Sequence, residues 1–209
     1  MGLRGPHLTL LGGITLAAVL AMLSVTATSN TAAPAAPEPT AQQGIGTASS
    51  TPASVAIPPA TFAGRVAVAG ATLAISIRDG RAVAYLCDGM RIEAWLRGTA
   101  VNGALSLADA KGGSLTATYV DGVISGTVST GGRRWSFTVP VVSPPSGLYR
   151  ATVDVRNAPV VCGWVRLADG SVTGTCTTNG ANTRPAPLPD PVTGATTVDG
   201  VPLTARPLS

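Results

Sequence analysis

The chain has 209 residues, with 14 Lys and Arg, 10 Asp and Glu, one His and a formal net charge of +4. Charged residues make up 11% and hydrophobic residues 45%, which excludes a chain disordered throughout. The one His, His7, lies in the apolar N-terminal segment, so the remainder has no imidazole for Ser-His or Cys-His catalysis.

Arg4 precedes an apolar run from Leu8 to Val25, and Val25-Thr26-Ala27 has the small-x-small pattern of a cleavage site. Residues 1–27 therefore read as a secretory signal peptide. The run 8–25 approaches the roughly 20 residues of a membrane span, so an uncleaved membrane anchor is the alternative. No Cys follows the run, which leaves lipoprotein anchoring unsupported. On either account the rest of the chain is secreted or extracytoplasmic, where disulfides persist. Residues 28–60 are mostly Ala, Pro, Thr and Ser, with Glu38 their only charge. A segment of that kind lacks the apolar side chains to fold alone and reads as a linker.

From Phe62 to Val139 turn signals recur about every ten residues: Gly70-Ala71, Asp79-Gly80, Asp88-Gly89, Asn102-Gly103, Gly112-Gly113, Asp121-Gly122 and Gly131-Gly132. Such pairs tolerate the positive φ of tight hairpin turns. Between them apolar and polar residues alternate. Leu73, Ile75 and Ile77 oppose Thr72, Ala74, Ser76 and Arg78; Ile92, Ala94 and Leu96 oppose Arg91, Glu93, Trp95 and Arg97. Period two marks strands buried on one face, and connections this short make neighbours antiparallel. The expectation is an all-β domain over 61–179: an antiparallel meander of about seven or eight strands in this stretch, closing into a small barrel or sandwich.

Pro140, Pro144, Pro145 and Gly147 interrupt the pattern, and alternation resumes at Leu148–Val155. Val160–Leu167 and Val172–Thr177 then form a hairpin around Ala168-Asp169-Gly170. A three-residue loop with Gly170 left-handed sets Trp164 opposite Gly174 and Cys162 opposite Cys176. Cys162–Cys176 is thus the preferred disulfide; Cys87 with either partner is the alternative, closing a longer loop. Residues 180–209 hold Pro185, Pro187, Pro189, Pro191, Pro202 and Pro207 and are expected to be a disordered tail, with at most a marginal turn at Val198-Asp199-Gly200-Val201.

The segments Tyr85-Leu86-Cys87-Asp88-Gly89, Glu93-Ala94-Trp95-Leu96-Arg97-Gly98 and Gly147-Leu148-Tyr149-Arg150-Ala151 resemble those of small exported β-domain proteins of actinobacteria, themselves uncharacterised. The resemblance covers about residues 62–151. It implies an envelope or secreted location and brings no activity and no site residues with it.

The chemistry-bearing residues are few. Cys87, Cys162 and Cys176 lack metal-ligand spacing, and no phosphate-cradling loop is present, so neither metal nor cofactor is expected. Asp88, Glu93, Asp121 and Asp154 are the carboxylates a secreted hydrolase would need, but Asp88 and Asp121 are explained by their Asp-Gly turns. Arg91, Trp95 and Arg97 share a strand face with Glu93, and Arg133, Arg134 and Trp135 lie together. Arg beside Trp is the composition of a surface that binds anions or sugars; Arg stems covering Trp on a solvated sheet is the bland alternative. The reading is an exported, non-enzymatic cell-envelope binding or interaction module. Its contact residues would be Arg91, Glu93, Trp95 and Arg97, and its partner an envelope component or extracellular protein, with an anionic or apolar small ligand and no nucleic acid. The first alternative is a carrier holding a lipid or other apolar ligand in a β-barrel; the second is the hydrolase.

Overall fold

The structure is a computed structural model that describes residues 57–66 and 70–208. The expected signal peptide or anchor, and nearly all of the expected linker, lie outside the described residues.

The first eight strands form a closed antiparallel barrel in sequence order: β1 Ala60–Arg65, β2 Thr72–Arg78, β3 Arg81–Cys87, β4 Glu93–Val101, β5 Ala104–Ala108, β6 Ser114–Val120, β7 Val123–Thr130 and β8 Arg133–Val142. The meander and the strand count follow the sequence pattern, and the closed form is the barrel rather than the sandwich. Closure is made where Thr61 and Phe62 pair with Val142 and Val141. Asp79-Gly80, Asn102-Gly103 and Asp121-Gly122 each place two consecutive residues at positive φ, the geometry that lets a two-residue loop match the twist of its strands.

Eight strands leave a lumen just wide enough for side chains to fill. Phe62, Leu73, Ile75, Ile77, Leu86, Leu96, Leu105, Leu115, Ile124 and Val139 fill it, none more than 2% exposed. Two inward glycines make tight corners. A Cβ at Gly98 would stand 2.0 Å from the Ser106 carbonyl oxygen, and one at Gly126 2.2 Å from that of Thr116. Only glycine lets the sheet turn that sharply there.

The chain leaves the barrel through the cis Pro144-Pro145 bond and builds a second sheet. Its strands are β9 Gly147–Val155, β10 Ala158–Arg166, β11 Val172–Thr178, β12 Asn182–Pro185 and β15 Arg206–Pro207, in the order β12-β11-β10-β9-β15. A separate hairpin joins β13 Ala195–Val198 to β14 Val201–Thr204. The register of β10 on β11 is the expected one: Trp164 faces Gly174 and Cys162 faces Cys176, and the disulfide between those two is formed.

One face of the second sheet covers the barrel. Ala63, Ala74, Tyr85 and Cys87 of the barrel exterior are buried with Leu148, Val165 and Leu167. This is why β2 is buried on both faces from Thr72 to Ile77, although its sequence reads as covered on one. The other face carries Cys162, Trp164 and Cys176, which pack under Val198, Leu203 and Ala205.

The Pro-rich stretch 180–209, expected to be disordered, contains β12 to β15 as far as it is described. Its prolines cannot donate to a ladder, but their carbonyls accept: Pro187 O takes the Trp164 Nε1 proton at 3.0 Å, and Pro191 O that of Arg166 at 3.2 Å. Arg184 grips Asp199 through two bonds of 3.0 and 2.7 Å, tying β12 to the β13–β14 turn. The domain thus extends past the expected boundary at 179.

Candidate functional site

The four residues singled out for contact do not form one free patch. Arg97 is exposed on β4 and Arg91 is exposed on the β3–β4 loop. Glu93 and Trp95 are half-buried where barrel and second sheet meet. The Trp95 ring lies 4.1 Å from that of Tyr85, centroid to centroid, and the Arg150 guanidinium stands 5.2 Å from its centre. Trp95 Nε1 donates to Glu93 Oε1 at 3.1 Å, and the other Glu93 oxygen accepts the Thr177 hydroxyl. Both rings rest on bare backbone: a Cβ at Gly163 would meet Trp95 at 2.5 Å and Tyr85 at 2.6 Å. The geometry therefore makes Glu93 and Trp95 part of the joint between two sheets, a role that alternation alone did not disclose.

Tyr85 anchors the same joint. Its hydroxyl donates to Gly163 O at 3.2 Å, accepts the Thr175 amide at 3.3 Å and lies 2.7 Å from Thr175 Oγ1. Burial, reinforced by the nearby Cys87 and Glu93, holds the phenol well above its ordinary pKa. Cys87 is a free buried thiol, pushed by burial to a pKa of about 11, so little of it is the reactive thiolate.

Of the carboxylates named for hydrolysis, Asp88 and Glu93 flank the β3–β4 loop, with Glu93 already bonded to Trp95 and Thr177, while Asp121 and Asp154 lie elsewhere. Asp88 Oδ1 accepts the amides of Met90, Arg91 and Ile92 at 2.8, 2.8 and 2.9 Å. Burial opposes its ionisation, but these bonds outweigh it and lower its pKa. Asp121 sits at φ 48° in the β6–β7 turn, which a meander places at the opposite end of the barrel from the β3–β4 loop. Asp154 lies on the second sheet. Among the described residues no group of three or more His, Cys, Asp or Glu could hold a metal ion.

What the fold does bring together is Arg91 with Arg133 and Trp135, two clusters 42 positions apart in the chain. The β3–β4 and β7–β8 loops end at the same mouth of the barrel. There Arg91, Ile92, Glu93, Thr130, Gly131, Arg133 and Trp135 line a groove of about 270 Å³, so of the four predicted contact residues Arg91 and Glu93 share it. The Asp88 cap uses up the loop's amides and fixes the backbone that carries Arg91. Trp135 is half-buried against the lumen core, so its ring is held in place at the rim. The ion pairs among the described residues are Arg65–Asp169 and Arg184–Asp199; neither Arg91 nor Arg133 takes part. Arg134 alternates to the outer face of β8 and does not line the groove.

A second groove, of about 310 Å³, runs between Tyr149, Trp164 and the prolines at 189 and 191. Several of its polar groups are already bonded within the fold. Arg166 is bonded to Pro191 O, and Asp190 Oδ1 accepts the amides of Val192 and Thr193. The mouth groove sets two arginines, neither in an ion pair among the described residues, beside the Trp135 ring and the Glu93 carboxylate.

No protein-family model, no curated protein and no solved structure matches this chain. Its functional reading therefore rests on its own residues.

Proposed function

We propose that this is an exported, non-enzymatic binding module of the cell envelope and that the mouth groove is its contact site. The observation that carries the reading is the meeting of Arg91, Arg133 and Trp135 in one groove. Convergent charge beside a fixed aromatic ring favours binding of a ligand, because both can engage it with little reordering. Export is supported by the N-terminal pattern and by the Cys162–Cys176 disulfide, which suits an oxidising compartment.

The packed lumen counts against the carrier alternative, since the inward leucines and isoleucines occupy the volume an apolar ligand would need. The hydrolase needs two carboxylates free to flank one bond; counting against it, Asp88 is held by three amides, Glu93 by Trp95 and Thr177, and Asp121 and Asp154 lie away from both. The test is retention of the purified chain on isolated envelope from its own host. The R91A/R133A double variant should lose most of that retention, with its unfolding midpoint unchanged. Equal retention of the double variant would remove the groove as the contact site.

A further inference from the structure

We propose that the mouth groove takes a negatively charged pyranose, a sugar ring bearing a carboxylate or phosphate, as presented by an acidic glycan; this rests on the binding-module reading above. Three observations select that class. First, the charge is mainly positive, two arginines against one carboxylate. Arg91 and Arg133 both line the groove without an ion-pair partner among the described residues, while the only carboxylate lining it, Glu93, is bonded to Trp95 and to Thr177. Guanidinium forks match carboxylate and phosphate oxygens bidentately.

Second, the groove is not purely ionic. Trp135 offers a flat, half-buried ring braced by the lumen core, and Ile92 adds apolar surface beside it. A bare inorganic anion has no use for such a platform, whereas the C–H face of a pyranose is flat and apolar. Thr130 supplies a hydroxyl at the rim, suited to a sugar hydroxyl. Third, size limits the occupant. At about 270 Å³ the groove lies just below the roughly 300–1,000 Å³ of sites for drug-sized ligands, a size that suits a single sugar ring. The glycan's remaining sugars would extend into solvent past the Gly131-Gly132 turn, where a Cβ at either glycine would meet nothing within 4 Å.

The experiment is titration calorimetry with Trp fluorescence on the disulfide-bonded chain. The probes are an oligogalacturonate, a sugar phosphate, a neutral glucan oligomer of the same length, and inorganic phosphate. At least one acidic saccharide should bind, weakening as salt rises. Binding should drop about tenfold or more in R91A/R133A and in W135A, and W135F should restore part of the latter loss. A chain that unfolds in W135A is replaced by W135F alone, read by the fluorescence change. Inorganic phosphate should bind at least about tenfold more weakly than the acidic saccharide. Equal binding of phosphate would reduce the groove to an anion site and overturn the sugar; equal binding of the neutral glucan would overturn the charge. Failure of both acidic saccharides, with envelope retention still lost in R91A/R133A, would overturn the ligand class and leave the module standing. Retention that does not depend on the two arginines would remove both.

Discussion

At the residue scale, Arg91 on the β3–β4 loop and Trp95 on β4 sit in different surroundings, one exposed and one half-buried. Arg91 is exposed, and its proposed duty is binding rather than packing, so Arg91→Ala should change unfolding free energy by less than about 0.5 kcal/mol. Trp95 carries packing: its ring stacks on Tyr85 and lies beneath Arg150. Trp95→Ala should cost about 2 kcal/mol in urea denaturation, less than the ~3–5 of a fully buried aromatic. Tyr85 and Cys87 give a pH signature. Both hold their protons in the folded state above the ordinary values of 10.0 and 9.0, so unfolding releases protons in alkali. Stability is therefore full below about pH 9 and falls as pH rises past it. Tyr85→Phe should flatten that fall in denaturation curves taken at several alkaline pH values. It should also cost about 1–3 kcal/mol near neutral pH, because Thr175 loses a buried hydrogen-bond partner. An unchanged alkaline slope in both Y85F and C87A would rule out this assignment.

At the scale of elements, the joint between barrel and second sheet depends on two glycines. Gly163 admits the Tyr85 and Trp95 rings, and Gly174 admits Trp164, whose Cδ1 would stand 2.4 Å from an added Cβ. Gly163→Ala should destabilise by about 1–3 kcal/mol through overpacking, and the Trp emission should shift as the ring is displaced. The disulfide joins positions already paired across β10 and β11, with a sequence separation of 14. Its reduction should lower stability by at most about 3 kcal/mol, the loop-closure figure for such a span. Strand pairing of this kind was readable in advance. The Ala168-Asp169-Gly170 loop fixes the register by local geometry, and that register puts Cys opposite Cys and Trp opposite Gly. The two-residue Asp-Gly and Asn-Gly turns were readable for the same reason, since the requirement for positive φ is written in the turn residues themselves. The hairpin at Arg156-Asn157, with φ of 51° and 64°, lacks glycine and gave no such signal.

At the scale of the whole molecule, the tail is a structural cover. A chain ending at 179 would lose β12 to β15, exposing Trp164 and the disulfide face that Val198, Leu203 and Ala205 now bury. Such a chain should bind a hydrophobic dye and unfold at lower temperature than one ending at 209; coincident melting curves would show the cover to be dispensable. Composition could not reveal this, because Pro-rich segments look alike whether their carbonyls meet water or meet Trp164 and Arg166. The mouth groove was half readable. Both Arg-Trp clusters stood out in the sequence, but which residues would share a site depended on which loops end at the same rim of the barrel. The sequence by itself determined the barrel strands, their antiparallel order, the glycine-containing turns and the register that sets Cys162 opposite Cys176, since each follows from period-two alternation or from the backbone needs of two or three adjacent residues. Only the tertiary structure decided that Trp95 and Glu93 belong to an internal joint, that the tail is ordered, and that Arg91 meets Arg133 and Trp135. Those outcomes turn on which surfaces cover one another across long stretches of chain, and no local pattern records that.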